Sequence, residues 1–471
     1  MPVTKKRVAL INPPFSKLIY GEERSIKSVT PCLGLFYLQS YCRDIAEIEV
    51  FEGEFYSDME NLIREVNTFR PDILGVTTNT STYPLCAQLA REVDASIKVA
   101  GGPYASFRVG ECLIDFDAVF VGDAELGLHA LISGASWAQV PGLAFKDESG
   151  RIQQNPARII NDLDEIPFPD HSRMQLGLYQ ASPHRELSGN FATMMTTRGC
   201  GFQCSFCLSA KGGMNDGKYR VRSVKNVIDE IGILTTQYDV KSIQFWDDTF
   251  TMAKRRTREM CNALRAIGIE YVCNTRTDRM DEETADLLAQ SGCQGVFFGV
   301  ESGDQEISDR NMLKGVRREQ VSKAVACCRK AGVRTTTSFI FGAIDDTEET
   351  IDESIRFALE LDSNYVLFNI YTAHPGTHGW AEALREGIID NYTVDIERWK
   401  GEPAGVPTTC RQLSRAALHS LKAEAYVRYY TQKDPIGYAE IIDTYNREID
   451  NLRLSGDWQV PHARKHALKV L

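Results

Sequence analysis

The stretch FATMMTTRGCGFQCSFC, residues 191–207, decides how the chain is to be read. Its first residues, over 192–196, have the apolar and β-branched character of a short buried strand, and Gly199 and Gly201 then bend the chain into a loop. The loop carries Cys200, Cys204 and Cys207, three thiols separated by three and then two residues. Soft thiolates at such spacing suit zinc or an iron–sulfur cluster. A structural zinc site wants a fourth ligand, and the next cysteine in the chain is Cys261, well outside zinc-finger spacing. A cubane cluster tolerates three, leaving one iron open to another ligand.

Downstream, strands are expected at 242–246, 271–274, 295–300, 334–341 and 365–371, with helices at 225–237, 254–266, 282–290, 318–331 and 348–361 between them. Together with the strand before the cysteine loop this makes six β-strands and five helices, the rhythm of a partial or complete βα barrel whose site lies at the C-terminal strand ends. Upstream, strands at 8–11, 48–51, 73–77, 97–100 and 118–121 alternate with helices such as 60–69 and 85–93. That alternation predicts a Rossmann-like open parallel sheet, with ligands at its carboxyl edge. The chain therefore divides into an α/β unit over 1–160, a proline-bearing linker over 161–190, a (β/α)6 TIM-like barrel over 191–395 and a helical C-terminal region over 396–471.

Composition narrows the function classes. The 471 residues are 43% apolar and 25% charged, as in an ordinary globular protein with room for a cleft between domains. A net charge of −11 repels phosphate backbones, so nucleic acid is not an expected partner. The N-terminal apolar run is too short for a signal peptide, and no run approaches a membrane span, so the expected address is the cytoplasm, with no membrane partner. In that compartment the other ten of the 13 cysteines are expected to be small buried hydrophobes and not disulfides.

Cys200-x3-Cys204-x2-Cys207, with Phe206 beside the last thiol, resembles the signature of the radical S-adenosylmethionine superfamily. The resemblance implies that the three thiolates hold a [4Fe-4S] cluster whose open iron binds S-adenosylmethionine. An electron from the cluster then generates a 5′-deoxyadenosyl radical that takes hydrogen from an unactivated carbon. Later strand ends resemble the same family. Asp247-Asp248-Thr249-Phe250 implies that Asp247 or Asp248 holds the methionyl ammonium, and Gly299-Val300-Glu301-Ser302-Gly303 implies contacts from Glu301 and Ser302. Phe341-Gly342 is similar to the segment whose backbone meets adenine. Lys314 falls near the same ligand, and Arg276, Asp278, Tyr371 and His374 are catalytic candidates by their position at or after strand ends.

The resemblance extends upstream. Asn12-Pro13-Pro14, Pro31-x2-Gly34-Leu35-x2-Leu38, Gly101-Gly102-Pro103 and Gly122-Asp123-Ala124-Glu125 look like the cobalamin (B12)-binding-type domain of one large subfamily, with Thr77, Thr78, Gly101 and Gly102 at its pocket. The Asp-x-His-x-x-Gly pattern that supplies a cobalt-binding histidine elsewhere is absent, and Asp123 stands where a glutamate is usual. The favoured outcome is cobalamin-dependent C-methylation of a natural-product or sugar-like small molecule, fed by an external one-electron donor such as flavodoxin or ferredoxin. The alternative is a radical dehydration, rearrangement or oxidation, as in a diol dehydratase of aminoglycoside biosynthesis, with the first domain vestigial. Transfer-RNA methylthiolation would need three N-terminal cysteines for a second cluster; Cys86 and Cys112 fall in helical patterns, and Cys32 and Cys42 are expected away from strand ends. A cluster serving only as scaffold or electron relay would leave S-adenosylmethionine uncleaved.

Overall fold

The computed structural model describes residues 5–14, 28–390, 408–455 and 458; of the helical region expected over 396–471, residues 396–407, 456–457 and 459–471 lie outside the described residues, and the rest includes the helices Arg415–Lys433 and Ala439–Ser455. The first sheet has seven strands: β1 (Lys6–Asn12), β2 (Ala46–Glu52), β3 (Ile73–Thr77), β4 (Ile97–Gly101), β5 (Ala118–Phe120), β6 (Leu143–Lys146) and β7 (Ile152–Gln154). Their order is β2-β1-β3-β4-β5-β6-β7, and the first five run parallel. The order reverses between β1 and β3, where a doubly wound sheet opens a crevice at its carboxyl edge. Alternation along β1 feeds both faces: Val8 and Leu10 enter one core, Ala9 and Ile11 the other. β6 and β7 are antiparallel additions that the sequence pattern did not predict. They are short and flank the polar turn Asp147-Glu148-Ser149-Gly150, so neither shows a period of its own.

The second sheet is parallel throughout, in the order β15-β14-β13-β12-β11-β8, with β8 (Phe191–Met194), β11 (Ser242–Phe245), β12 (Glu270–Thr275), β13 (Cys293–Glu301), β14 (Arg334–Phe341) and β15 (Tyr365–Ile370). Ile243, Phe245, Tyr271, Cys273, Val296, Phe298, Phe339 and Phe368 point outward into one core with the surrounding helices. The residues between them point into the lumen. β8 and β15 are sheet edges that do not pair, so the barrel is partial. A separate two-stranded piece, β9 (Thr197–Arg198) with β10 (Arg220–Val221), carries the start of the cysteine loop.

The linker is packed tightly. It forms three short 3-10 turns, and Leu163, Ile166, Met174 and Tyr179 bury against Leu33, Phe36 and Tyr37 of the first domain. Below the barrel wall, Glu230 accepts a hydrogen bond from His171 Nε2 at 3.0 Å and pairs with Arg222 at 2.6 Å, tying the linker to the helix Val224–Tyr238.

The open edge at β15 is covered by the helix Arg415–Lys433. Tyr426 Oη accepts from Phe368 N–H at 3.0 Å and Tyr430 Oη from Val366 N–H at 3.3 Å, while Tyr429 Oη donates to the Ser363 carbonyl at 2.5 Å. Side-chain hydroxyls thus satisfy a strand edge that would otherwise expose its backbone. None of the described helices is long and apolar enough to cross a membrane. Replacing Tyr426 or Tyr430 by Phe strands one buried N–H, and each change is expected to lower unfolding free energy by roughly 1–3 kcal/mol in denaturant titrations. A change below about 0.5 kcal/mol for both would mean the hydroxyls do not close the edge.

Candidate functional site

The cysteine loop hangs from a buried carboxylate. Asp247, two residues past the end of β11, accepts from Thr196 N–H at 2.6 Å, Thr196 Oγ1 at 2.6 Å and Thr197 N–H at 3.0 Å. Burial raises its carboxyl, and these three donors with the nearby Arg256 work against that rise. The loop then turns at Gly199, whose φ of +83° suits glycine and whose missing Cβ avoids the Lys218 carbonyl oxygen. Cys200 is buried and Cys204 and Cys207 half-buried. Desolvation pushes the Cys207 thiol up to about 12, helped by the charge of Asp248, and raises Cys200 as well. Thiols held neutral in this way become thiolates only against a cation placed among them.

Arg276, just past β12, braces the loop. Its guanidinium donates to Cys204 Sγ at 3.4 Å, to the Lys314 carbonyl at 2.8 Å and to Asp278 Oδ1 at 2.9 Å, and lies 3.7 Å from the centre of the Phe202 ring. Among the described residues no three His, Cys, Asp or Glu side chains converge on one ion position. A cubane needs no such convergence, because each thiolate binds its own iron.

A cavity of about 450 Å³ lies between the carboxyl edge of the first sheet and this loop. Leu35, Leu38, Val76 and Leu128 form apolar wall on one side; Gly199, Ser209, Trp246 and Asp248 bound it on the other. Gly34 and Gly101 line it, and a Cβ at either would meet no atom within 4 Å. They leave room for a bulky ligand to approach the backbone. The two halves are joined at the cavity floor. Asp123 pairs with Arg198 at 3.3 Å and Arg220 at 2.8 Å, Arg198 pairs with Glu125 at 2.7 Å, and Asn215 donates to Asp123 at 2.8 Å. Burial opposes the charge of Asp123, yet the two guanidiniums hold its carboxyl below the ordinary range.

The residues singled out from sequence separate into those at the cavity and those behind it. Thr77, Gly101, Gly102 and Asp248 line it. Thr78 is fully buried and donates to the Gly101 carbonyl at 2.8 Å, joining two strand ends. Of the two aspartates, Asp248 is open to the cavity, and desolvation raises its carboxyl while a hydrogen bond with Ser209 lowers it. Glu301 has a φ of +71°, sits at a register shift and pairs with Lys314 at 2.6 Å across Gly299. Ser302 accepts from Asp304 N–H at 3.1 Å and neighbours Ser354. The Gly342 N–H goes to Asp346 at 2.9 Å and its carbonyl to Thr409 at 3.2 Å, so its backbone groups are already engaged.

Phe206 packs with buried Tyr371 and Trp380 behind the loop, and burial pushes the Tyr371 hydroxyl up to about 12. His374 lies 3.1 Å from Thr80 Oγ1, bridging the barrel to the first domain, and burial lowers its pKa. Neither Tyr371 nor His374 lines the cavity. Cys32, expected away from the strand ends, is beside one: its N–H donates to Glu52, the last residue of β2, at 2.9 Å and the residue lines the cavity, just before the helix Leu33–Cys42. Cys86 and Cys112 are buried in helices, as expected. Sequence reading gave no role to Arg198, Arg220 or Glu125, which join the halves. The available signals were the position of Arg198 beside the cysteines and that of Glu125 in the segment Gly122-Asp123-Ala124-Glu125.

The Radical SAM superfamily profile matches residues 194–358, and that of the B12 binding domain matches residues 24–132. An uncharacterized methyltransferase of Pyrococcus horikoshii is 32% identical over 445 residues, covering 90% of this chain and 92% of the relative. Cytidylyl-2-hydroxyethylphosphonate methyltransferase of Streptomyces wedmorensis is 26% identical, over 83% of this chain and 84% of the relative. Among solved structures, the radical S-adenosylmethionine methyltransferase TsrM of Kitasatospora setae, with cobalamin and a [4Fe-4S] cluster bound, superposes with a TM-score of 0.63 at 21% identity, covering 81% of this chain and 75% of that one. At that identity the likeness is one of fold.

The two neighbouring aspartates are expected to behave differently when each is changed to Asn. Asp247→Asn puts an amide NH2, itself a donor, where an oxygen accepts from Thr196 or Thr197, and should destabilise the fold by about 2 kcal/mol or more and lower the iron taken up on anaerobic reconstitution. Asp248→Asn should leave stability within about 0.5 kcal/mol of the parent and iron content unchanged. Equal iron loading in both variants would refute the anchoring role of Asp247.

Proposed function

This chain belongs to the radical S-adenosylmethionine superfamily and carries a B12-binding domain ahead of its barrel, and we propose that it is a cobalamin-dependent enzyme methylating carbon in a small-molecule substrate. The observation that carries this reading is the cavity shared by the two halves: the glycine-lined carboxyl edge of the first sheet opens on the same space as Asp248 and the base of the cysteine loop. When bound, the cluster supplies the electron that cleaves S-adenosylmethionine, and cobalamin supplies the methyl group. Similarity to two methyltransferases over most of the chain supports the same outcome.

In this reading Cys200, Cys204 and Cys207 hold the cluster, and Arg276 keeps the Cys204 sulfur in place. Asp248 takes the methionyl ammonium, because its neighbour Asp247 is committed to the loop. Gly34, Gly101 and Thr77 line the berth for cobalamin, and the apolar wall behind them excludes water. The Asp123–Arg198–Arg220 network fixes the separation of the two halves, and with it the distance between the two cofactor sites. The reducing electron comes from an external carrier.

Anaerobically reconstituted protein, given excess hydroxocobalamin and desalted, should retain close to one cobalamin per chain and form methylated product. Cys204→Ala should retain cobalamin yet form no 5′-deoxyadenosine. Loss of cobalamin on desalting, with S-adenosylmethionine cleavage intact, would overturn the methylase reading and leave dehydration or rearrangement.

A further inference from the structure

Beneath the mouth of the barrel, a cation is buried with no counter-ion among the described residues. Arg185, in the last 3-10 turn of the linker, is 7% exposed and reaches into the lumen. Its Nη2 donates to Asn274 Oδ1 at 2.9 Å, and its guanidinium carbon lies 4.9 Å from the centre of the Phe297 ring and 5.7 Å from that of Trp246. Asn274 and Phe297 are lumen residues, since their strand neighbours Cys273, Val296 and Phe298 face the outer core. No carboxylate pairs with Arg185 among the described residues. Asp247 is committed to Thr196 and Thr197, Asp278 to Arg276, Glu301 to Lys314 and Glu186 to Arg334, while Asp248 opens on the cavity.

The surroundings are polar and short of partners. Thr193 Oγ1 and Gln244 Oε1, one layer below, are buried with no hydrogen-bond partner among the described residues. Desolvation brings Arg185 down to about 10, so the group stays charged near neutral pH, and burial with the charge of Arg185 pushes neighbouring His184 down to about 3. Aromatic faces offset only part of the cost of burying a guanidinium. The charge is also close to the cavity, because the Trp246 ring that it faces borders that space beside Asp248. A planar fork of five N–H donors with one protein acceptor among the described residues is well suited to an oxyanion.

We infer that Arg185 anchors an anionic group of the substrate, a carboxylate or a phosphoryl or phosphonyl group, inside the barrel. This rests on the methylase reading and adds to it that the substrate is an anion, held at one end while its carbon skeleton extends past Trp246 toward the cysteine loop. Asn274 shares the task by orienting the guanidinium.

The test uses anaerobic enzyme with cluster, cobalamin and saturating S-adenosylmethionine in place, so that their own anion-binding positions are filled. Calorimetric titration with inorganic phosphate, methylphosphonate and acetate is expected to show one saturable site for at least one of them. Preference for the tetrahedral anions would identify a phosphoryl or phosphonyl group, and preference for acetate a carboxylate. Arg185→Gln should weaken binding at least about tenfold, and Arg185→Lys should fall between. Asn274→Asp, which keeps the arginine but gives it an acid, should abolish binding even if Arg185→Gln fails to fold. Parent enzyme that binds none of the probes, or variants that bind as the parent does, would overturn the inference. Assay of 5′-deoxyadenosine in the same samples keeps that outcome distinct from failure of the proposed function.

Discussion

The carboxylate of Asp247 is the point on which the rest of the site depends. By accepting two backbone N–H groups and a hydroxyl it fixes where the chain leaves β8. The exit angle sets the β9–β10 pair, which brings Arg198 and Arg220 side by side. Those two guanidiniums then grip Asp123 at the carboxyl edge of the first sheet. One buried acid therefore positions the cysteines and, through Arg198 and Arg220, aligns the two halves around their cavity. Burying such a charge is costly, and the cost is offset because every bond it makes is to a group that would otherwise be unsatisfied.

Much of this was legible in the sequence, for local reasons. The barrel helices Glu282–Gln290, Arg318–Ala331 and Glu348–Leu361 match the expected ranges, since caps at Asp281 and Thr347 and a left-handed Gly332 mark their limits. The cysteine loop was legible because three thiols at fixed spacing are rarely produced by packing alone. What escaped was whatever depends on contacts distant in sequence. Asp123 and Arg198 lie 75 residues apart, and nothing local joins them. Asp247 and Asp248 are chemically identical and adjacent, so only the fold distinguishes the structural acid from the one open to ligand.

The linker is the other lesson. Its prolines and polar residues read as a connector, and in the chain's course it is one. It also fills the seam between the halves with Leu163, Ile166 and Tyr179, and sends Arg185 into the barrel. Its composition is that of a loop, while Leu163, Ile166, Met174, Tyr179 and Arg185 are buried as core residues are. A segment that carries no regular secondary structure is free to place side chains at angles that strands and helices do not offer.

The tyrosine-covered edge of β15 has a consequence for the size of the space inside the barrel. In a closed barrel, strand number and shear fix the girth, and the interior cannot widen without breaking a ladder. Here six strands end at an edge held by phenol groups of the helix Arg415–Lys433. The girth is then a property of helix packing, which substitution on that helix can adjust by degrees, and a wider or narrower reaction chamber is reached without altering a single strand register.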